Sequence, residues 1–567
     1  MKENILLGLM VVGTFLLRTV GQWDKVFVDG NIWFRGADPW YHMRLVDNMM
    51  RNFPIPLSWD VYSPYPNGAA VGYYPLLTWI VSGFGQVFNY ELVGAFLPPI
   101  LGALILIPIY FLGKELFSRG VGLLACVLVA ILPGELFHRS LLGFTDHHIL
   151  ESILMVTTIL FIVLAYRRQR LLYSALGGLS LGLYLLNWPG GIFLVFIIAL
   201  WFILQFYYDY LKGLPTNFLC KSLTITLGIS LLLSFWLLPT YNLILLLLAS
   251  TTPLFLYSLS RLGKKVLLYT SIGISTTGII LLSLNVYGMS GQILLSLRYM
   301  FWGFGGTTIQ EALPLTPTVA FAQYGIPIIL FFGGLYFCIR NKVNILFVVW
   351  TIILLLTTLS QMRWGYYFTI NVALLSAHLV FEVAKYLKKD VRTGAIIVMV
   401  FFLILPSIKG TVGLAVVPNT ITPDWYNAMV WMRENTSEQF PDGAYYELNP
   451  GKADYGVLSW WDYGHWIIRI ARRAPMTNPL FHDYPAQSQF LASRSEEEAN
   501  EILEGHNIKY IIIDNELLTK KWHAVIKKAG VDTRMLDSVA YKLWSDELEG
   551  WKLIHREGEV KIYERKM

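Results

Sequence analysis

Acidic and histidine residues are concentrated at a few points of a chain that is otherwise apolar. Asp146, His147 and His148 are consecutive in the stretch GFTDHHILE, and Asp38 and Glu311 lie in two other polar stretches. Two or three carboxylates together with an imidazole suit Mn²⁺ or Mg²⁺ better than Zn²⁺. The three cysteines have no metal-binding spacing, which leaves carboxylates and histidines as candidate ligands. These residues predict a divalent-cation site if the fold brings their loops together.

Two isolated arginines accompany these residues. Arg139 precedes Asp146 by seven positions, and Arg363 is the only charged residue of its loop, SQMRWGYY. A charge near a membrane face is costly unless it is paired, so each arginine carries a functional hypothesis. A guanidinium group binds phosphate well through paired hydrogen bonds. Arg363 could equally cap a helix or meet lipid headgroups, and these alternatives stay open at this point.

The stretch SWWDYGHW at 459–466 combines three tryptophans with one acid. The Asp462 carboxylate could accept a hydrogen bond from a hydroxyl. The indoles of Trp460 and Trp461 would add N–H donors and an apolar surface that excludes water and so strengthens such bonds. We expect Gly464 to permit a tight turn. On aromatic content alone, packing in a core is the favoured explanation for the whole stretch. Core packing is expected in any case for Trp466 and Tyr455.

Other charged residues of the polar stretches have simpler explanations. Lone acids in loops are usually solvated, and we expect this of Asp24, Asp29, Asp47 and Asp60. Three histidines are expected to be structural rather than metal ligands, namely His42, His138 and His378. An Asp-x-His triplet such as 146–148 also occurs by chance. The cation-site hypothesis therefore depends on the candidate residues lying on one side of a membrane.

The elements that must position these residues are membrane helices. Of the 567 residues, 55% are hydrophobic and only 14% are charged, a composition too apolar for an ordinary soluble enzyme. About twenty apolar residues span a bilayer as a helix. Hydropathy predicts about thirteen such segments, at roughly 4–20, 94–112, 120–134, 149–165, 173–187, 190–206, 222–238, 243–260, 266–284, 320–339, 343–359, 367–386 and 394–413.

Basic residues are concentrated in alternate loops, for example Arg167, Arg168 and Arg170 in one and Lys264 and Lys265 in another. The positive-inside rule places these loops and the N-terminus in the cytoplasm, in a multi-pass protein of the cell membrane. These loops also explain the net charge of +6 without a nucleic-acid surface. The first apolar run lacks a small-residue cleavage site and is expected to be an uncleaved helix. An odd number of helices then places the C-terminal part outside the cell.

The composition of the chain changes near residue 415. Residues 1–415 are predicted to form a transmembrane catalytic domain with two long outer loops, at about 21–93 and 285–319. Residues 416–567 are predicted to form an outer globular domain that carries WWDYG. This domain contains charged helical stretches (PDWYNAMVWMREN and SRSEEEANEILEGH), a buried-strand pattern (KYIIID) and an alternating run (EVKIYERKM), which together predict mixed α/β structure.

Four motifs give the chain a resemblance to a known family. WWDYG at 460–464 resembles the signature of oligosaccharyltransferase catalytic subunits, the STT3/AglB/PglB family. GADPWYHMR at 36–44, TDHH at 145–148 and TIQE at 308–311 are similar to further motifs of this family, in the same order and spacing. The resemblance spans the whole chain and is greatest to short archaeal AglB proteins. It implies a polytopic α-helical membrane protein of the GT-C type, followed by the mixed α/β domain.

The resemblance also implies a role for each matching residue. Asp38 would be both a metal ligand and a catalytic carboxylate, and Glu311 would be the second catalytic carboxylate. The metal, Mn²⁺ or Mg²⁺, would be held by Asp38, Asp146 and His148. The lipid-linked phosphate would be contacted by His147 and Arg363. Acceptor binding is implied for Trp460, Trp461, Asp462, Tyr463, Gly464 and Arg139.

One further family motif is matched only loosely. In archaeal members it reads roughly Asp-x-x-Met-x-x-x-Lys-x-x-x-Ile and lies after WWDYG. The nearest stretch here is DNELLTKKWHAV, in which leucine replaces methionine and valine replaces isoleucine. The matching positions are Asp514, Leu517, Lys521 and Val525.

The reaction implied by the resemblance is protein N-glycosylation. An oligosaccharide would pass en bloc from a polyprenyl (dolichyl) phosphate or diphosphate to Asn in an Asn-x-Ser/Thr sequon, by a metal-dependent inverting mechanism. A site that hydrogen-bonds the sequon hydroxyl rejects analogues that lack it, which gives Asp462 and its tryptophans a physical purpose. The enzyme is expected to act as a single subunit on an acceptor protein or peptide. Asn435-Thr436-Ser437 is itself a sequon, so Asn435 is a possible glycosylated site.

Two other classes of function were weighed against this one. Another GT-C glycosyltransferase, such as a protein O-mannosyltransferase that uses a polyprenyl-phosphate sugar, would share acids in the outer loops but has no need of WWDYG or TIxE. A transporter with an outer binding domain would carry polar residues near the bilayer midplane. Only His378 and a few hydroxyl groups lie there in the predicted helices.

Overall fold

The computed structural model describes residues 2–284, 297–298, 300–301, 309–441, 443–449, 451–481 and 484–566. Much of the second predicted outer loop, including Thr308 of TIQE, lies outside these residues. The chain packs as two compact units, and each is described by itself. The helical unit consists of Met1–Gln22, Pro98–Leu141 and His147–Val417. The mixed unit consists of Trp23–Leu97, Leu142–Asp146 and Pro418–Met567, so it includes most of the first predicted outer loop.

The helical unit is built from apolar helices. Their bounds are Lys2–Thr19, Leu106–Leu116, Arg119–Ile131, Glu135–His138, His148–Arg168, Leu171–Asn187, Ile192–Leu211, Asn217–Ser234, Thr240–Arg261, Lys264–Ser283, Pro317–Tyr324, Pro327–Arg340, Ile345–Ser360, Gly365–Lys385 and Lys389–Ala415. The helix Tyr90–Leu104 contributes residues to both units. Several helices begin at a polar side chain that accepts a hydrogen bond from a backbone N–H of the first turn, as at Ser118, Thr316 and Asn344.

Each of the segments predicted from hydropathy overlaps helical residues of the structure, and the segments 94–112 and 320–339 each fall on two successive helices. In the described part of the chain, 8 helices are long and apolar enough to cross a membrane. Pro317–Tyr324 and Pro327–Arg340 meet at a bend of 91° and pass the same test together, which raises the number to 9. The shorter apolar helices are Leu76–Gly85, Arg119–Ile131, Leu171–Asn187 and Ile345–Ser360. The protein is a multi-span membrane protein, and a total of about thirteen spans stays a prediction.

A four-stranded sheet forms the centre of the mixed unit. Its strand order is Gly456–Leu458, Ile508–Asp514, Val560–Arg565 and Trp551–Glu557. The first two strands are parallel and the others are antiparallel, with Tyr510 opposite Glu564 and Ile512 opposite Ile562. The central strand Ile508–Asp514 is buried almost throughout, which confirms the strand predicted from KYIIID. The alternating C-terminal run is also a strand, as predicted.

Helices and two short strand pairs surround this sheet. The helices are Trp23–Val26, Asp38–Asn52, Leu76–Gly85, Pro423–Asn435, Gly464–Trp466, Ala486–Ala492, Glu496–Ile502, Asn515–Thr519, Trp522–Ala529 and Val539–Trp544, with a π-helix at Ile467–Ala471. The strand pairs are Phe27–Val28 with Asn31–Ile32, and Trp59–Asp60 with Ala69–Ala70. The helix Asp38–Asn52, called the Asp38 helix below, has eleven buried residues and is a core element of the unit.

The expectation of solvated loop acids is wrong for two of the four residues. Asp24 and Asp29 are exposed, as expected. Asp47 is buried and accepts hydrogen bonds from Arg469 Nε at 3.1 Å and from the Tyr445 hydroxyl at 2.9 Å. Asp60 is buried beside Arg44, at 3.3 Å. Their partners lie elsewhere in the sequence, and a buried carboxylate is stable only with such a partner.

Candidate active site

Glu311 of the helical unit lies between two arginines. Arg363 Nη2 is 2.8 Å from Glu311 Oε1, and Arg139 Nη2 donates a hydrogen bond to Glu311 Oε2. Arg139 also contacts Glu135, with 3.0 Å from its Nε to the Glu135 Oε2. These ion pairs bring together three residues that the sequence analysis singled out separately.

Backbone hydrogen bonds explain how two distant loops meet at Glu311. Leu315 N donates to Leu359 O at 3.2 Å, and Met362 N donates to Leu313 O at 2.9 Å. Glu311 belongs to the 3₁₀ turn Gln310–Ala312, just before these contacts. Since Arg363 follows Met362 directly, the same hydrogen bonds hold it opposite the carboxylate.

The charge of Glu311 is set by its surroundings. Desolvation opposes ionisation, but the guanidinium groups of Arg139 and Arg363 outweigh it and lower the pKa of Glu311 to about 2. Glu311 is therefore a carboxylate at every physiological pH, and it can accept hydrogen bonds but not donate one.

His147 and His148 converge on the buried carboxylate of Glu151, the last residue of GFTDHHILE and one of the acids that the sequence groups with Asp38, Asp146 and Glu311. Glu151 Oε1 lies 3.1 Å from His147 Nε2 and 3.7 Å from His148 Nδ1. Tyr366 donates a hydrogen bond to Glu151 Oε2 at 2.9 Å, and Tyr367 donates another. The three residues His147, His148 and Glu151 offer ligand atoms within 4.8 Å of one another, close enough to hold a metal ion. The sequence signal was the i, i+3 and i, i+4 spacing, which puts them on one helix face.

Asp38 is the first residue of the Asp38 helix in the mixed unit. Pro39 follows it in the first turn, and an acid is favourable at that end of a helix. The Asp38 side chain is 42% exposed, and its Oδ1 lies 3.5 Å from Nδ1 of His465, which is fully buried. His465 follows WWDYG directly and was not assigned a role from the sequence.

Asp146 is buried and pairs with a histidine of the same unit. His42 Nε2 lies 3.0 Å from Asp146 Oδ1. Thr145 Oγ1 donates to Gly94 O at 2.8 Å, which fixes the backbone just before Asp146. His42 is one turn after Asp38 on the same helix. Its side chain can orient an acid predicted to bind metal, but His42 and Asp146 are themselves among the residues placed to hold a metal ion, so a purely structural role for His42 stays a prediction.

The WWDYG residues follow the short strand Gly456–Leu458 and form the 3₁₀ turn Trp461–Tyr463. Trp460 is 1% exposed, and its indole Nε1 donates to Asp462 Oδ2 at 3.2 Å. The Asp462 side chain is 33% exposed and also pairs with Lys521, at 3.0 Å. Asp462 is thus positioned from two sides while part of its carboxylate faces solvent.

The expected reason for Gly464 is wrong. Its backbone has φ −56° and ψ −40°, an ordinary helical conformation that requires no glycine. A Cβ atom at this position would lie 2.5 Å from Thr477 O and 2.4 Å from Asn478 Cβ. Close packing against the segment 477–478, rather than a tight turn, requires the missing side chain.

The loosely matched motif supplies one side chain to the Asp462 region. Lys521 pairs with Asp462, and its Nζ lies 4.2 Å from the centre of the Tyr463 ring. Asp514 is a structural anchor that accepts hydrogen bonds from Tyr463 Oη at 2.7 Å, Trp425 Nε1 at 2.8 Å and Leu517 N at 2.8 Å. Burial raises its pKa against the effect of these hydrogen bonds. Fully buried positions of the motif are Leu517 and Val525.

Two aromatic residues next to this region are core residues, as predicted. Trp466 is 2% exposed and stacks on Tyr463 with ring centres 5.4 Å apart. Tyr455 is also buried. The aromatic stretch therefore combines a packed base with one acid that remains accessible.

The chain is similar to known proteins over most of its length. Residues 8–417 match the family described as Oligosaccharyl transferase STT3, N-terminal, and residues 422–518 match the AglB core domain. A relative from Archaeoglobus fulgidus, dolichyl-phosphooligosaccharide-protein glycotransferase 3, is 27% identical over 92% of this chain and 70% of its own length.

Solved structures are similar over most of the chain. An Archaeoglobus fulgidus AglB in complex with an inhibitory peptide and a dolichol-phosphate has a TM-score of 0.85 and 26% identity, over 94% of this chain and 71% of that chain. A structure tethered with an acceptor peptide containing the NVT sequon has a TM-score of 0.80 and 25% identity, over 100% and 74%. One in complex with Zn and sulfate has a TM-score of 0.78 and 26% identity, over 94% and 70%.

Proposed function

Since the chain belongs to the STT3/AglB oligosaccharyltransferase family and is a glycosyltransferase, we propose that it transfers an oligosaccharide en bloc to Asn in Asn-x-Ser/Thr sequons. The donor is an oligosaccharide on a polyprenyl (dolichyl) phosphate or diphosphate. The observation that carries this proposal is the ionised Glu311 between Arg139 and Arg363. This arrangement places a carboxylate that can accept hydrogen bonds from an amide next to guanidinium groups that can bind a phosphate.

Asp38 and Glu311 are assigned to bind the side-chain amide of the acceptor Asn. An amide nitrogen is a poor nucleophile because its lone pair is delocalised into the carbonyl group. Carboxylates that accept hydrogen bonds from both N–H groups favour rotation about the C–N bond and so weaken this delocalisation. The nitrogen then attacks the anomeric carbon, the glycosidic C–O bond breaks to release the lipid phosphate, and the configuration inverts. The nitrogen gives up one proton, which the released phosphate can accept.

The leaving phosphate is assigned to Arg363 and His147. A planar guanidinium suits phosphate oxygens, and a positive charge stabilises the anion that develops as the C–O bond breaks. His147 is held by Glu151 Oε1 at 3.1 Å and by Asn187, whose Nδ2 donates to the His147 carbonyl at 3.1 Å. Arg139 would lie near the acceptor and at the same time keep Glu311 ionised.

A divalent metal fits the donor chemistry of these residues. We propose Asp38, Asp146 and His148 as its ligands and Mn²⁺ or Mg²⁺ as the ion; their motifs, rather than a measured geometry, support this set. His42 and Glu151 contact Asp146 and His148, as outer partners of metal ligands do. A bound metal would supply Lewis-acid stabilisation of the phosphate. The Archaeoglobus fulgidus structure with Zn and sulfate supports a metal of some kind.

The sequon hydroxyl is assigned to the WWDYG residues. Asp462 accepts its hydrogen bond, and Trp460 and Trp461 exclude water from that bond. Tyr463 and Gly464 hold the turn in place through Asp514 and the segment 477–478. The known structure with an NVT peptide supports a sequon reader in a protein of this family.

The orientation of the chain in the membrane is also part of the proposal. The N-terminus is cytoplasmic, and residues 416–567 form an outer domain that works with a helical domain of residues 1–415 in a single-subunit enzyme of the cell membrane. The distribution of basic residues over the loops supports this orientation.

A peptide assay tests the proposed function. Purified protein, Mn²⁺ and a lipid-linked oligosaccharide extract should glycosylate an Asn-x-Thr peptide but not the matched Gln-x-Thr peptide. The extract must first be shown active with another oligosaccharyltransferase. If neither peptide is modified under these conditions, the proposed function is wrong.

Asn435 is a possible self-acceptor. Its side chain is exposed at the end of the helix Pro423–Asn435, and its Nδ2 donates to Trp431 O at 2.9 Å. Modification would therefore require this hydrogen bond to open. The intact mass of the protein from its native membrane decides the point, since an unmodified mass rules out glycosylation at Asn435.

A further inference from the structure

A cavity of about 220 Å³ lies in the mixed unit, and none of the residues assigned a role above lines it. Its walls include Arg433, Arg469 and Arg472 together with the acids Asp47 and Glu91, and we call it the arginine cavity. Its volume is below the roughly 300 Å³ at which pockets for drug-sized ligands begin. It therefore has room for one compact group rather than an extended chain.

Arg469 neutralises both acids of the cavity. Its Nε donates to Asp47 Oδ2 at 3.1 Å, and its Nη2 donates to Asp47 Oδ1 at 3.3 Å and Glu91 Oε1 at 2.6 Å. Burial disfavours the charge of Arg469, but the two carboxylates outweigh this and raise its pKa above the ordinary value. The third wall arginine, Arg433, is paired with Glu434 next to the cavity, with 3.3 Å from its Nη2 to the Glu434 Oε1.

Arg472 is held in a conformation that few non-glycine residues adopt. Its φ of 53° lies in the left-handed region, and the residue ends the π-helix Ile467–Ala471 as its C-cap. The guanidinium carbon lies 4.8 Å from the Tyr445 ring centre, and Nη2 donates to the Tyr446 hydroxyl at 3.0 Å. Within the described residues this is its single protein acceptor, so the other N–H groups of Arg472 remain for a ligand.

We propose that the arginine cavity binds a compact, hydroxylated monoanion of the class of a sugar carboxylate. Among the described residues Arg472 is the wall arginine without an acidic partner, and this single positive charge matches a carboxylate better than a phosphate monoester, which carries nearly two negative charges at neutral pH. Arg472 supplies the charged donors. Tyr90, Tyr426 and Tyr446 line the same cavity and offer hydroxyl groups for the hydroxyls of a sugar.

The transferred glycan is the natural source of such a group, an assignment that rests on the proposed function. Asp47 follows Asp38 by nine residues on the Asp38 helix, or about 13 Å along its axis. A sugar bound beside Asp47 would belong to a part of the glycan away from the reacting end. The cavity would then select donors that carry an acidic sugar.

Equilibrium dialysis of the full chain in detergent tests this inference without requiring transfer activity. The probes are radiolabelled D-glucuronate, D-glucose as the matched neutral sugar, and inorganic phosphate. We expect saturable binding of glucuronate and about tenfold weaker binding of glucose, since a hydrogen bond to a charged group is lost. Phosphate should also bind more weakly than glucuronate.

Arg472→Asn is the decisive variant because asparagine tolerates the left-handed backbone while removing the guanidinium. It should weaken glucuronate binding about tenfold, with an unchanged unfolding temperature. Arg556→Asn, at an exposed arginine outside the cavity, should bind like the wild type. Equal binding of glucose and glucuronate, stronger binding of phosphate, no binding of any probe, or an unaffected Arg472→Asn variant would each overturn the inference. A failed peptide assay with successful glucuronate binding would instead count against the proposed function alone.

Discussion

Glu311 of the helical unit and Asp462 of the mixed unit are both carboxylates of family motifs, but their surroundings differ. Glu311 is held between two guanidinium groups, Arg139 and Arg363. Asp462 is held by one indole, Trp460, and one ammonium group, Lys521. The two side chains are similarly exposed, 39% for Glu311 and 33% for Asp462. The first carboxylate thus meets two positive charges, and the second meets one positive charge and one indole N–H group.

The difference fits the two tasks proposed for these acids. A group that meets an anionic phosphate and a reacting amide needs strong charges fixed in advance, because such charges need not reorganise during the reaction. A group that reads one hydroxyl needs an accessible acceptor with a firm support. Mutation of Glu311 should therefore change mainly the rate constant, and mutation of Asp462 mainly the affinity for peptide.

The largest expected effect is the loss of Glu311. Glu311→Gln leaves Arg139 and Arg363 without their shared anion and should lower kcat by about 10²–10³-fold, as expected for a preorganised group at a reacting centre. Initial rates at saturating peptide measure it. Glu135→Gln is the matched control, since Glu135 also pairs with Arg139 at 3.0 Å but belongs to no motif. Equal loss in both variants would show that only the arginine environment matters.

The next effect concerns the metal. In the Asp146→Asn variant, activity should no longer reach a plateau at any Mn²⁺ concentration that can be used in the assay. His42→Asn removes the side chain 3.0 Å from Asp146 and should weaken Mn²⁺ about 10–100-fold, as expected for an outer partner of a ligand. Mn²⁺ binding followed by electron paramagnetic resonance gives a readout separate from turnover. His523→Asn, at an exposed histidine, should have no effect, and unchanged Mn²⁺ affinity in Asp146→Asn would refute the ligand assignment.

A third prediction concerns the packing beneath the WWDYG turn, the proposed sequon-binding site. Gly464→Ala places a Cβ within 2.5 Å of Thr477 O and should destabilise the protein by about 1–3 kcal/mol, the usual cost of overpacking. Thermal unfolding in detergent measures this loss. Gly72→Ala is the control, because nothing lies within 4 Å of its Cβ position. Similar unfolding temperatures for the two variants would contradict the packing explanation of Gly464.

Asp462→Asn should act mainly on acceptor affinity. The sequon hydroxyl would lose a charged acceptor, so KM for an Asn-x-Thr peptide should rise about tenfold, while kcat changes less. Steady-state kinetics over a range of peptide concentrations separate the two constants. Asp532→Asn, at an exposed acid, serves as control. A drop in kcat with unchanged KM would remove the contrast with Glu311.

The smallest expected effect is the response of Glu311 to pH. Its pKa is lowered from 4.5 to about 2, so its ion pairs contribute stability that is fully present above 4.5 and lost as the pH falls towards 2. The difference in unfolding temperature between wild type and Glu311→Gln should thus stay constant from pH 7 to pH 5 and shrink below that. A difference that already shrinks between pH 7 and pH 6 would show that another group titrates.

Much of the fold and part of the site could be predicted from the sequence. Apolar runs located the membrane helices because an apolar run of that length has few other stable conformations. Motifs located Asp38, Glu311 and Asp462 because each lies in a distinctive local pattern.

Contacts between distant segments could not be predicted in this way. Arg469 follows Asp47 by 422 residues, and no local pattern marks them as an ion pair. The packing of Gly464 against Thr477 depends on a segment that a single sequence does not align with it. His465 beside Asp38 is a further contact of this kind.

The contacts around His465 restrict how the acceptor preference of this enzyme can be engineered. The His465 ring stacks on Tyr41 of the Asp38 helix, with ring centres 4.8 Å apart. Asn478, which packs against Gly464, donates a hydrogen bond to Ser63 at 2.7 Å. WWDYG therefore cannot be exchanged between relatives by itself. A chimera that takes WWDYG from a relative must also take the segment corresponding to residues 23–97, or the packing surface under WWDYG must be redesigned.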